Sequence, residues 1–477
     1  MNDIQKKEKV IEMERKNAWE KYPKGEKRQQ VMDFAEEYRK FLSICKTERE
    51  CIEYFEEKAV AAGFQNLEIL VKKKRSIQPG DRIYCNHMGK AMALFVMGQE
   101  SLESGMNILG AHVDSPRMDL KQVPLYEDTE MALLDTHYYG GIKKYQWVTL
   151  PLALHGIFVK KDGTKVKVEI GEKEGDPVVG VSDLLIHLSA DQLEKKGNKV
   201  VEGEKLDVLI GSIPEPEDKE DKEKKKELVK ANILRILGEM YGVEEEDFLS
   251  AEIEVVPAGY ARDYGLDRSM LMGYGHDDRV CAYPSFEAIL RSKEPRVTSA
   301  CLLVDKEEIG SVGATGMKSR FFIDAVAELL YLQGKEAEVF VRRAMRNSKA
   351  LSSDVSAAYD PNYPEVMEKK NTAYFGKGLV FNKFTGARGK SGSNDANAEY
   401  IAFLRDILDR NQVSYQTAEL GKVDQGGGGT IAYILANYGM QVIDSGVAVL
   451  NMHAPWEIIS KVDLYEALRG YEAFLIS

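Results

Sequence analysis

The sequence is poor in cysteine and lacks any long apolar run. Its 477 residues include only five cysteines, which are scattered and never form a CxxC pair. That pattern fits neither a disulfide framework nor a thiolate metal site, so buried reduced thiols are expected. No apolar run approaches the ~20 residues that a membrane helix needs, and the charged start of the chain lacks the apolar core of a signal peptide. We therefore predict a cytoplasmic protein that contacts no membrane.

Basic residues are also in deficit. The chain carries 65 Lys and Arg against 77 Asp and Glu, which gives a net charge of −12. A nucleic-acid partner is not expected from this balance, because the basic residues form no strong cluster. The hydrophobic fraction of 44% and the charged fraction of 30% are typical of a globular protein. The length exceeds what one compact core accommodates and favours two domains.

Helix and strand patterns alternate in the first and last parts of the chain. Thr47 and Glu50 form a capping-box pattern, which predicts a helix that ends near Gly63. Apolar runs at 82–86, 91–97, 107–112, 297–304, 379–384 and 441–452 predict strands. Helical patterns occupy 285–291, 321–332, 396–412, 430–438 and 463–475, and the charged start is also helical in pattern. We predict an α/β fold with a mixed, largely parallel central sheet and helices on both faces.

The middle of the chain has a different pattern, with β-branched, alternating segments such as TKVKVEIG. It also contains a charge run that starts at Pro214, which predicts a solvated loop or the exposed start of a helix. We interpret residues 120–256 as an inserted β-rich domain. Residues 1–119 and 257–477 would then form the two parts of a catalytic domain.

Polar side chains with metal-binding chemistry follow several of the predicted strands. The run 108–111 ends in His112-x-Asp114, where an imidazole can bind a metal and the carboxylate can accept its other N–H. Glu307 and Glu308 follow the strand predicted at 297–304. Neighbouring residues in an extended segment point in opposite directions, so one glutamate can bind a metal while the other faces substrate.

Three further residues complete the set: Asp277 in GYGHDDRV, Asp354 in LSSD, and His453 after the apolar run. Each has an ordinary structural alternative. The aspartates can belong to turns or cap a helix, the glutamates can form a solvated acidic loop, and His453 can be a core residue. Together they supply two histidines and several carboxylates, which suits zinc-like or harder divalent metals.

These motifs in this order resemble the aspartyl-aminopeptidase family of dinuclear zinc aminopeptidases. The resemblance rests on HVDSP, DKEEIGS, SSD with AAYDPNYPE, and MHAPWE, and it covers nearly the whole chain, including the interrupted domain plan. It implies hydrolysis of the N-terminal peptide bond of peptides by a water bound to two metals, with a glutamate as general base. The implied ions are two divalent cations per subunit, zinc first, with cobalt or manganese as alternatives.

The resemblance also implies a role for each residue. Asp277 would bridge the two ions, His112 and Asp354 would complete the ligands of one ion, and Glu308 and His453 would complete those of the other. Glu307 would be the general base, and Asp114 would support His112.

The family's inserted domain is a dimerisation domain, and one of its histidines reaches the active site of a neighbouring subunit. The matching segment here is LLIHLS, so the resemblance implies that role for His187. The alternative is that His187 is a histidine in an ordinary strand. The family assembles into a dodecamer built from dimers, so the resemblance implies a homo-oligomer.

The likeness has one departure that concerns specificity. Asn382, with Lys383 beside it, stands at the position of the family's lysine for acidic substrates. A preference for N-terminal Asp or Glu is therefore not implied for this chain. Two other functions remain open from the sequence: a dinuclear amidohydrolase acting on N-acyl amino acids, and a scaffold assembly whose site has decayed.

Overall fold

The computed structural model describes residues 16–216 and 227–477. The helical pattern predicted at the very start of the chain and the centre of the charge run lie outside the described residues. The α-helices of the described part are α1 (Glu26–Ile44), α2 (Glu48–Ala61), α3 (Leu67–Lys72), α4 (Ala190–Leu193), α5 (Leu228–Tyr241), α6 (His276–Arg291), α7 (Phe321–Leu332), α8 (Glu338–Asn347), α9 (Ala398–Arg410), α10 (Ala432–Ala436) and α11 (Lys461–Leu475).

The strands form three sheets. Their bounds are β1 (Gln65–Asn66), β2 (Arg82–His87), β3 (Ala91–Val96), β4 (Met106–His112), β5 (Arg117–Asp128), β6 (Met131–Tyr139), β7 (Leu152–Val159), β8 (Lys165–Ile170), β9 (Val208–Gly211), β10 (Ala251–Pro257), β11 (Arg262–Tyr264), β12 (Met270–Gly273), β13 (Thr298–Val304), β14 (Lys349–Ser353), β15 (Ser356–Ala357), β16 (Leu379–Asn382), β17 (Tyr415–Thr417), β18 (Gln441–Gly446), β19 (Ala448–Leu450) and β20 (Glu457–Ser460).

The largest sheet has nine strands in the order β1-β2-β3-β13-β4-β14-β18-β16-β17. At its centre β13, β4, β14 and β18 run parallel to one another, while β3 and β16 pair antiparallel with this group. The predicted α/β fold with a mixed, largely parallel sheet is thus confirmed. Its four central strands are buried along nearly their whole length because both faces are covered.

Successive residues of one central strand enter different cores. Leu109 packs in a cluster with residues of α1, α2, α6, α9 and α11, whereas Ile108 packs in a second cluster with residues of α3, α7, α8 and α10. This follows from the two-residue period of a strand, which directs neighbouring side chains to opposite faces. Helices therefore lie on both faces of the sheet, as predicted.

A six-stranded antiparallel sheet, ordered β8-β7-β10-β5-β6-β9, is built from strands between Arg117 and Pro257. It has an apolar core of its own, against which α5 packs through Ile233, Leu234 and Leu237. The chain enters through β5 and leaves through β10, and these two strands are paired side by side. The assignment of 120–256 as a separate domain stays a prediction.

A third, five-stranded sheet, ordered β11-β12-β20-β19-β15, was not anticipated from the sequence. Because of this sheet, the apolar run 441–452, predicted as one strand-like segment, is split into two strands. The run supplies β18 to the nine-stranded sheet and β19 to the five-stranded sheet, and the chain changes sheets at Val447. Both parts are buried, so hydropathy alone does not reveal the change.

Two local expectations can be checked directly. The capping box is confirmed, since the Thr47 side chain accepts the Glu50 N–H and the Glu50 carboxylate accepts the Thr47 N–H. The helix predicted at 430–438 is shorter, with bounds Ala432–Ala436.

Across residues 16–216 and 227–477, no helix combines the length and apolar character needed to cross a bilayer.

Buried charges join the six-stranded sheet to the helical layer beside it. Arg117 at the start of β5 contacts Asp119 at 2.8 Å, Glu254 at 3.1 Å and Glu48 of α2 at 3.7 Å. Lys90 adds a second contact to Glu48 at 3.4 Å. A buried ion network of this kind holds its partners in one arrangement, because each unpaired charge is costly to bury.

We expect Arg117→Met to destabilise the protein by about 3–5 kcal/mol, because it leaves Glu48 and Glu254 buried without their main cation. Urea denaturation followed by tryptophan fluorescence measures the change. Arg342→Met is the matched control, since Arg342 forms an exposed pair with Glu338 on α8, and its removal should cost less than about 0.5 kcal/mol. Equal midpoint shifts in the two variants would contradict a structural role for the network.

Candidate metal centre and active site

The predicted metal-binding residues converge at one edge of the nine-stranded sheet. His112 ends β4, Glu308 lies four residues after β13 in a short 3-10 helix (Glu307–Ile309), and Asp354 follows β14 directly. These three strands are parallel neighbours, so their carboxyl ends meet at the same edge. Asp277 arrives from the first turn of α6, and His453 from the turn after β19.

The converging side chains form two groups that share one carboxylate. His112, Asp277 and Asp354 offer one set of ligand atoms, and Asp277, Glu308 and His453 offer the other, with the atoms of each set within 4.8 Å of one another. The His112 Nε2 lies 3.2 Å from Asp277 Oδ1, and the His453 Nε2 lies 3.2 Å from Asp277 Oδ2. The two oxygens of Asp277 therefore face different histidines.

Both imidazoles are oriented through their other nitrogen. His112 Nδ1 lies 3.0 Å from the Asp114 carbonyl oxygen and 3.2 Å from its carboxylate. His453 Nδ1 lies 2.8 Å from the carbonyl oxygen of Gly141, which comes from the loop after β6. These acceptors place the proton on Nδ1 and leave Nε2 as the electron-pair donor toward the cluster.

Asp114 also fixes the two glutamates. Its carboxylate accepts the backbone N–H groups of Glu307 and Glu308, each at 3.2 Å, and the hydroxyl of Tyr139 at 2.8 Å. The residue is fully buried. Asp114 therefore positions the glutamate turn as well as His112, which is more than the sequence suggested.

Glu457, at the start of β20, joins two of the ligand-bearing loops. One carboxylate oxygen accepts the backbone N–H of His453 at 2.7 Å, and the other accepts that of Asp277 at 3.0 Å. Glu457 is buried, so these N–H groups satisfy charge that solvent cannot reach. One side chain thus sets the separation between the shared aspartate and its histidine.

The chemistry of the cluster fits divalent cations. Asp277 Oδ1 and Glu308 Oε1 are buried and have no hydrogen-bond donor among the described residues. Burial and neighbouring carboxylates raise the pKa of Glu308 and of Asp354 well above the ordinary value, and burial raises that of Glu307 to about 7. Bound cations would compensate these crowded charges, and imidazole with carboxylate ligands is a set that zinc accepts.

A cavity of about 440 Å³ opens over the cluster. It is lined by Glu307, Glu308, Asp354 and His453, and also by Gly427 to Gly429 of the loop between β17 and α10. The site therefore combines candidate metal ligands, a carboxylate outside both ligand groups and space for a substrate, as a hydrolytic metal centre requires.

His187 lies apart from these residues in a short 3-10 helix, Ile186–Leu188, and its neighbourhood is exposed. The strand assumed in the alternative is therefore not formed at this position, and the role of His187 stays a prediction. Of the described residues that line the cavity, none comes from this helix. Asn382, in contrast, does line the cavity, at the end of β16.

Comparison with known proteins agrees with this geometry. Residues 41–475 match the family described as Aminopeptidase I zinc metalloprotease (M18). The chain belongs to the M18 family of zinc aminopeptidases. It is accordingly a metal-dependent aminopeptidase, a hydrolase, and the amidohydrolase and scaffold alternatives are not favoured.

Relatives of this M18 chain match it from end to end. A probable M18 family aminopeptidase 1 of Clostridium acetobutylicum is 61% identical over 97% of this chain and 98% of its own. The crystal structure of aminopeptidase I from C. acetobutylicum superimposes with a TM-score of 0.90 at 59% identity, covering 98% of this chain and 100% of that one. An M18 aminopeptidase structure from Thermotoga maritima gives 0.91 at 43% identity, with coverages of 97% and 99%.

Several contacts in the M18 site were not found from the sequence. Glu457 belongs to the MHAPWE motif but received no role, because its partners Asp277 and His453 are identified only by the fold. Tyr139 and Gly141 come from the middle of the chain, where no pattern marks them. The one signal in the sequence was a glutamate four residues after the candidate ligand His453.

We expect Glu457→Gln to weaken metal binding by about 10–100-fold, the range for outer residues that orient metal ligands. The amide keeps one acceptor but turns an N–H₂ group toward a backbone N–H. Zinc affinity is measured by competition with a chelating dye, and Glu472→Gln on the outer part of α11 serves as the control. Wild-type affinity in Glu457→Gln would contradict the positioning role.

Proposed function

We propose that this M18 chain removes single residues from peptide N-termini with a pair of divalent cations and one free glutamate. The proposal rests on one observation: two ligand groups that share Asp277 lie beside a cavity. His112 and Asp354 would complete one cation's protein ligands, and Glu308 and His453 the other's. Asp277 would bridge both, since each of its oxygens faces a different histidine.

The cations, zinc in this proposal with cobalt or manganese as alternatives, supply acidification of a water molecule and polarisation of a carbonyl oxygen. Glu307 supplies the general base. It lines the cavity, belongs to neither ligand group, and has its backbone held by Asp114. Its carboxylate takes the proton of the attacking water and passes it to the departing amine.

Removal of single residues follows from the charge of the site. Carboxylates line the cavity near the proposed metal ligands. Their negative charge attracts the protonated α-amino group of a peptide N-terminus. An N-acylated substrate lacks that charge. Free-amine peptides are therefore the substrates of this proposal.

Self-association is the second part of the proposal. The short helix that carries His187 exposes Ile186 and Leu188, whose accessible fractions are 69% and 67%, and Leu184 and Leu185 beside them are also exposed. A contiguous apolar patch of this kind favours contact with another protein surface. We propose that residues 120–256 form a dimerisation domain between the catalytic parts 1–119 and 257–477.

The proposed assembly is a dodecamer built from dimers, with His187 reaching the active site of a neighbouring subunit. A solved structure described as the Saccharomyces cerevisiae mApe1 dodecamer shares this fold, with a TM-score of 0.74 at 21% identity over 93% of this chain and 97% of that one, and its description is the reason for proposing twelve subunits. In the neighbouring site His187 would donate a hydrogen bond to the developing oxyanion.

We expect Glu307→Gln to lower kcat by about 10²–10⁴-fold, the usual contribution of a general base. The metal content should remain that of the wild-type protein, because Glu307 belongs to neither ligand group. Hydrolysis of leucine p-nitroanilide and elemental analysis measure the two quantities. Asp277→Ala is the contrasting variant, which should lose both ions together. Unchanged kcat in Glu307→Gln, or two ions per subunit in Asp277→Ala, would contradict the assigned roles.

We expect His187→Ala to lower kcat and to regain activity when it is assembled with Glu307→Gln subunits. Mixed assemblies contain sites with an intact Glu307 from one subunit and His187 from the other. The two variants are co-expressed with different affinity tags, purified through both tags and assayed. Activity no higher than that of either variant alone would exclude a contribution from the neighbouring subunit.

A further inference from the structure

Two residues where β6 ends contact the groups that orient the two histidines of the metal cluster. The hydroxyl of Tyr139 donates to the Asp114 carboxylate at 2.8 Å, and Asp114 in turn lies beside Nδ1 of His112. Two positions further along the chain, the carbonyl oxygen of Gly141 lies 2.8 Å from Nδ1 of His453. Each imidazole is therefore contacted, directly or through one side chain, by the same short piece of chain.

Gly140, between these two residues, brings the backbone against Glu308. Its φ is +75°, a conformation that favours glycine. An added methyl group at this position would lie only 3.3 Å from Cβ and 3.3 Å from Oε2 of Glu308. A side chain would therefore displace either the glutamate or the segment itself, so the close approach requires glycine. Three consecutive residues thus contact three different parts of the cluster.

The six-stranded sheet holds this segment in place. Tyr139 is the direct partner of Arg117 in the antiparallel pair of β5 and β6, and the Arg117 guanidinium lies 3.9 Å from the centre of the tyrosine ring. Such a cation over an aromatic face is an attractive contact. Arg117 is itself fixed by its buried pairs with Glu48 and Glu254. The ring of Tyr139 is buried as well, so its hydroxyl is held at Asp114.

We propose that Tyr139 and Gly140 are positioning residues, through which the six-stranded sheet sets the affinity of the metal centre. The inference rests on the proposed ligand roles and adds two residues that are not ligands. Tyr139 acts through Asp114, which also accepts the backbone N–H groups of Glu307 and Glu308. Gly140 acts through the space that it leaves for Glu308. Outer residues that orient metal ligands commonly change metal affinity or activity by about 10–100-fold.

Tyr139→Phe tests the hydroxyl alone, because phenylalanine keeps the ring that stacks against Arg117. We expect the zinc affinity, measured by competition with a chelating dye, to fall at least about fivefold. Tyr126→Phe is the matched control. Tyr126 lies on β5 of the same sheet and donates its hydroxyl at 2.6 Å to Asp207, which belongs to neither ligand group. Wild-type zinc affinity in Tyr139→Phe, or an equal loss in both variants, would overturn the role of Tyr139.

The visible absorption of the cobalt-loaded protein separates positioning from stability. Loss of a hydrogen bond lowers the denaturation midpoint wherever the bond lies, whereas the cobalt bands respond to the arrangement of the ligands. We expect the cobalt spectrum to change in Tyr139→Phe and to remain that of the wild-type protein in Tyr126→Phe. An unchanged spectrum in Tyr139→Phe, even with a lower denaturation midpoint, would overturn the positioning role.

Gly140→Ala tests the space beside Glu308. Because the methyl group crowds this glutamate, we expect the zinc affinity to fall at least about tenfold. Gly163→Ala is the matched control: Gly163 has a φ of +86° between β7 and β8, and an added methyl group there would meet no atom of the described residues within 4 Å. Both variants place alanine at a positive φ, but only one crowds a proposed ligand. Zinc affinity in Gly140→Ala no lower than in Gly163→Ala would overturn the role of Gly140.

The metal content of the wild-type protein distinguishes the two ways to fail. If the wild-type protein binds fewer than two ions per subunit and does not hydrolyse leucine p-nitroanilide, the proposed function fails and the positioning roles fall with it. If the wild-type protein binds two ions and is active, but Tyr139→Phe and Gly140→Ala match its zinc affinity, only the positioning roles fail.

Discussion

Repulsion between buried carboxylates is the constraint on which this site depends. Burial and neighbouring carboxylates raise the pKa of Glu308 and of Asp354 well above the ordinary value. Burial acts on Asp277 in the same direction, but its two histidine neighbours outweigh it and lower the pKa of Asp277. The protein offsets part of this cost with two imidazoles, whose Nε2 atoms lie 3.2 Å from the two carboxylate oxygens of Asp277. The proposed cations would compensate the remainder, and metal binding and local stability would then be two aspects of one charge balance.

The nine-stranded sheet makes that crowding possible. Parallel neighbours β13, β4 and β14 end at one edge, and their apolar lengths are anchored in the cores on both faces. The polar ends therefore have little freedom to move apart. Asp114 and Glu457 add a second level of order, since each holds two backbone segments that are far apart in the chain. Rigid support of this kind is what precise metal ligation needs.

Much of this arrangement could be predicted, and the exceptions share a cause. The strand ends before His112, Glu308 and Asp354 could be predicted because a buried strand leaves an apolar run in the sequence. Side chains that can bind a metal come just after these runs. The family resemblance then joined ligands that no local pattern connects. Contacts such as Glu457 with Asp277, or Asn382 opposite Asp444, depend on which strands pair and in which register. Register between distant segments leaves no periodic trace, and the same holds for the sheet change at Val447.

The order of the proposed ligands along the chain has a consequence for biosynthesis. His112 is made early, but His453 and β20 come from the last part of the polypeptide, and β18 must pair with β14 before the sheet is whole. A nascent chain, which emerges amino end first, cannot assemble the centre until translation is nearly finished. With His453 as a ligand, as proposed, truncated products that lack the final segment would have no complete centre and would not cleave other newly made proteins.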